Sequence, residues 1–109
     1  MDINYLKKCL KKRIELKALY PRLTGRHIFF DEHFGKLEKG IKMLNKYEML
    51  SFEERNELYL LGKEFIEIRA KQIKFHDSRI STPFGNSVHN CEYELYSVAL
   101  DLFQSYGTE

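Results

Sequence analysis

The chain carries 109 residues, 43% of them hydrophobic, with seven Tyr and eight Phe, which fits one domain over 1–109 and excludes a disordered polymer. No apolar run nears the roughly 20 residues of a membrane span, and the opening "MDINYLKKCLKKR" lacks the uninterrupted apolar stretch of a secretory signal. The net charge of +2 hides a gradient: residues 1–26 hold eight basic and two acidic groups, while residues 80–109 hold four acidic groups and no Lys or Arg.

Four helices are predicted, over about 2–20, 31–50, 52–79 and 88–106. The first starts after Asp2, a good N-cap, and stops before Pro21. Ile3, Leu6, Leu10 and Ile14 form one apolar line on it, and Tyr5, Cys9, Leu16 and Tyr20 a second. The connection "PRLTGRH" follows, with Thr24-Gly25 as its turn signal. The second helix repeats Phe30, Phe34, Leu37, Ile41 and Leu44 at three and four, with Met43, Tyr47 and Leu50 on its other side. Gly35 and Gly40 weaken it, each by up to about 1 kcal/mol.

The third helix has the strongest start: "SFEE" sets Ser51 as N-cap and Glu54 three residues on, a capping box. A loop is expected over "STPFGNS" (81–87). In the last helix Val88, Cys91, Leu95, Val98, Ala99, Leu102 and Tyr106 share a face, and Gly107 closes it. The short second-to-third connection implies an antiparallel four-helix bundle, all-α, in which the basic first helix lies beside the acidic last one. Cys9 and Cys91 have neither CxxC nor zinc-ligand spacing, which points to reduced thiols and a cytoplasmic setting, with no metal or cofactor.

On the third helix the apolar line Leu58, Leu61, Phe65 continues into Arg69, Gln72 and His76, flanked by Ile66, Ile68, Ile73 and Phe75. A core line that turns polar needs partners, because an unpaired buried guanidinium costs several kcal/mol. Glu92 and Glu48 are the acids expected to supply one for Arg69. Arg, six residues, then His, on an all-α domain of this length, resembles the motif of HEPN ribonucleases. That resemblance implies metal-independent RNA cleavage by a dimer, with His76 as general acid/base and Arg69 stabilising the charged transition state. It covers eight residues, and the sequence departs from the pattern at Ala70 and in having no Tyr two places after His76. Arg22–His27, with four residues between, and Arg26–His33, with six, also fall within the four to six residues of that motif.

Three other features bear on function. "RHIFFDEHF" places His27 and Asp31 one helical turn apart, beside Glu32 and His33, a set that could serve a metal or simply an N-terminal turn. Lys7, Lys8, Lys11 and Lys12, widened by Arg22 and Arg26, form a basic patch suited to nucleic acid or to the acidic last helix. Tyr93, Tyr96 and Leu100 make a second apolar strip on the last helix. A wide buried arc would explain that strip. So would contact with a partner or a second copy, since Tyr joins a large area to a polar tip. The leading expectation is a small non-enzymatic protein of the immunity, antitoxin, adaptor or inhibitor type. It would bind a protein partner or itself through Tyr93, Tyr96 and Leu100, with Arg69, Gln72 and His76 adding specificity.

Overall fold

The structure, a computed structural model, describes residues 2–77 and 83–107, with side chains described at all of these except 75–77 and 83–86. Asp2 caps α1 (Ile3–Leu19) by accepting from the Tyr5 amide at 3.2 Å. α2 (Thr24–Asn45) begins well before Asp31, so most of the expected loop is helix. It gives way at Asn45 to a 3₁₀ turn, Tyr47–Met49. Ser51 and Glu54 then start α3 (Phe52–Asp77) reciprocally: the Glu54 amide donates to Ser51 Oγ at 3.1 Å, and the Ser51 amide donates to Glu54 Oε1 at 3.2 Å. Residues 78 and 79, assigned to this helix by the sequence pattern, lie outside the described residues. α4 (Pro83–Tyr106) starts ahead of Val88, with Pro83 at the first helical position, where a missing amide costs nothing.

Among the described residues the chain is an all-α helical bundle without strands. α4 is its organising element. It packs on α3 most extensively, on α1 next and also on α2, whereas α1 and α2 meet only sparingly. A helix with three neighbours must bury a broad arc, and α4 buries Val88, Cys91, Leu95, Ala99 and Phe103 together with Tyr96 and Leu100. The strip expected at the surface is therefore largely core: Tyr96 is 0% and Leu100 5% exposed. Met43 and Leu50, placed opposite the α2 core line by the sequence pattern, are buried too.

Close approach of the helices depends on two glycines. A Cβ at Gly40 would sit 2.1 Å from Phe103 Cζ, so α2 reaches α4 only because position 40 has no side chain. A Cβ at Gly62 would lie 2.7 Å from Gln104 Cγ, which makes the same point for α3 and α4. Phe103 in turn meets Phe65 edge-on at 5.6 Å, and Phe65 meets Tyr96 at 5.9 Å. The bundle is elongated, 44 × 23 × 19 Å.

Candidate functional site

The strongest polar cluster joins α1, α2 and α4 and is wholly inside. Arg13, 0% exposed, donates from Nε to Glu92 Oε1 at 2.8 Å. Its Nη2 faces His27 Nδ1 at 3.0 Å and the Arg26 carbonyl oxygen at 3.4 Å, and its plane lies 4.6 Å from the Phe30 ring centre. His27 Nε2 donates to the Tyr20 carbonyl oxygen at 2.7 Å. That bond fixes the tautomer, because the proton on Nε2 leaves Nδ1 bare to accept from Arg13. Burial, then the neighbouring cations, hold the His27 pKa below its ordinary value, against the Tyr20 carbonyl and Asp31. Burial also pushes the Glu92 carboxyl up, against the pull of Arg13.

Among the described residues Arg13 Nη1 and the Tyr96 hydroxyl, both buried, have no hydrogen-bond partner. The cluster contains an acid, a base and a cation, and it is closed to solvent, with Glu92 2% and His27 5% exposed. Its work is to hold three helices together. The acid expected to serve Arg69 thus serves Arg13 instead. Glu48, the other acid considered, is exposed on the 3₁₀ turn.

The α3 line that turns polar meets α4 along a second seam. Burial on α3 centres on Leu61, Phe65, Ile68 and Gln72, which leaves Arg69 at the edge, half-buried. Arg69 donates from Nη1 to Ser97 Oγ at 3.3 Å, and its guanidinium lies 5.8 Å from the Tyr93 ring centre. Gln72, 1% exposed, donates its amide to the His89 carbonyl oxygen at 3.2 Å and to His89 Nδ1 at 2.5 Å. The His89 ring stands 6.4 Å from that of Tyr93. Ile66 and Ile73 fall on the same α3 stripe as Arg69, at three and four residues. Ile66 is 44% and Tyr93 43% exposed. Arg69, Gln72 and Tyr93 are thus brought together, Tyr96 and Leu100 are not at the surface, and the His76 side chain lies outside the described residues.

Lys7, Lys8, Lys11 and Lys12 are exposed along α1, and Arg22 is exposed after it, but Arg26 is buried and leaves the patch. Among the described residues none of those four lysines pairs with a carboxylate. The acidic last helix is α1's neighbour, and its Glu92 pairs with the buried Arg13 of α1. Around His27 and Asp31 no cluster of three metal-ligating side chains forms among the described residues: both His27 nitrogens are occupied, and Asp31 pairs with Lys17 at 2.8 Å. Cys9 and Cys91 are buried free thiols, and burial pushes the Cys91 pKa up to about 11. No helix among the described residues is long and apolar enough to cross a membrane. Compared with protein-family models, curated proteins and solved structures, the chain matches none.

Proposed function

We propose that the protein is a non-enzymatic helical binding protein, of the immunity, antitoxin, adaptor or inhibitor kind, whose contact face is the α3/α4 seam around Arg69 and Tyr93. The observation that carries this reading is the Arg69 guanidinium over the exposed Tyr93 ring, bordered by exposed Ile66 and half-buried Ile73. Arg and Tyr are the side chains that most often dominate interface energetics, because each joins a large contact area to directional hydrogen bonding. Among the described residues Arg69 has no carboxylate partner, so a partner's acid would complete it. Capture from a lysate of the native host tests this. Wild type is expected to retain a partner that Tyr93→Ala or Arg69→Ala loses about tenfold or more. Retention that depends on neither residue, from a chain that light scattering shows to be a monomer, refutes it.

A second reading, nucleic-acid binding, is favoured by the four exposed α1 lysines without carboxylate partners among the described residues, with Arg22 beside them. Binding of RNA or DNA that falls steeply with salt would support it, and no retention at low salt would end it. The ribonuclease resemblance is separated from both by an RNA-cleavage assay with His76→Ala.

A further inference from the structure

The sparing contact between α1 and α2 leaves a groove of about 280 Å³ between them. Leu10 and Ile14 of α1 and Ile41 of α2 line it with aliphatic side chains, and Ile14 is 45% exposed. Lys7, Lys11 and Lys42 border it, and among the described residues none of the three has a carboxylate partner. Glu38 supplies the only acid in this lining. The α1 residues fall at three and four, so the groove runs along one helix face for about 10 Å, roughly two helical turns.

We infer that this groove docks an acidic amphipathic helix of a partner protein, with aliphatic anchors over Leu10, Ile14 and Ile41 and carboxylates meeting Lys7, Lys11 and Lys42. The occupant is chosen by charge complementarity around an aliphatic floor, the arrangement in which an amphipathic helix lays its apolar face into a groove. Nucleic acid fits less well. Its bases stack on aromatic rings, which the groove lacks, and Glu38 would face a uniform polyanion. The groove shares no residue with the α3/α4 seam, so the two surfaces stand or fall separately.

The test is fluorescence anisotropy on the full chain with three labelled probes. These are an acidic amphipathic peptide of about four helical turns with Leu at helical spacing, a scrambled peptide of the same composition, and oligothymidine. The amphipathic peptide is expected to bind with a Kd in the range of about 1–100 µM. The scrambled peptide should bind about tenfold more weakly, as should the amphipathic one to Ile14→Asp and to Lys7→Glu with Lys11→Glu. Circular dichroism confirms the fold of each variant, and Lys42→Glu serves if Ile14→Asp fails to fold. The inference is overturned by no saturable binding, by equal binding of the scrambled peptide, by indifference to position 14 or 42, or by oligothymidine binding more tightly than either peptide.

Discussion

Arg13 shows how one side chain can set the polar chemistry of the whole bundle. It sits midway between the two apolar lines of α1, near the centre of their joint arc, and is the charged residue of α1 that is buried. That position was the signal in the sequence, carried by the gap between the two lines and not by either line. Its partner His27 carries a pH dependence with a definite sign. Because folding depresses the His27 pKa from 6.5, the folded ring stays neutral while the unfolded ring takes a proton. The stability this contributes is present above about pH 6.5 and is lost as pH falls through the folded pKa. Protonation would also turn an N–H at Nδ1 against the Arg13 guanidinium. His33, likewise depressed by burial, adds to the same trend, whereas Glu92 acts in the opposite sense because its pKa is raised. Urea midpoints measured between about pH 8 and about pH 5 are therefore expected to fall with acid in wild type and to fall less in His27→Gln. An unchanged slope in that variant would remove His27 from the account.

Among the elements, α2 separates what local sequence can specify from what only packing can. Gly35 and Gly40 look alike in the sequence, each a helix-weakening residue, yet their surroundings differ completely. A Cβ at Gly35 meets nothing within 4 Å, while one at Gly40 collides with the buried Phe103 ring. Gly35→Ala is expected to stabilise the protein by about 0.5–1 kcal/mol, and Gly40→Ala to destabilise it by about 1–3 kcal/mol, both read by urea denaturation. Opposite signs at two glycines of one helix would be hard to obtain from any other packing. The ends of α2 were also illegible, for a physical reason. Leu23 caps it without a side-chain hydrogen bond. Its first turn is held by distant groups instead, Arg13 on the Arg26 carbonyl and His27 on the Tyr20 carbonyl. Where the signal is local, as at Asp2 and at Ser51 with Glu54, the sequence and the structure agree on the cap.

For the whole molecule, the all-α bundle was legible because apolar side chains recur at three- and four-residue spacing in all four helices, even where one line of α3 turns polar. The central place of α4 was not, since a helix touching three others and a helix offering one face to a partner show the same wide apolar arc. Tyr96 and Leu100 fall on the core side of that ambiguity and Tyr93 on the surface side. The resulting division is that the Arg13–Glu92–His27 cluster holds α1, α2 and α4 together, while the Arg69–Tyr93 seam is the face proposed for binding. Urea denaturation of Arg13→Met and Tyr93→Ala, side by side with wild type at neutral pH, tests that division most directly. Arg13→Met strands a buried carboxylate and is expected to cost about 3–5 kcal/mol, whereas Tyr93→Ala, at a half-exposed site, should stay within about 1 kcal/mol of wild type. A tolerated Arg13→Met beside a severely unstable Tyr93→Ala would contradict it.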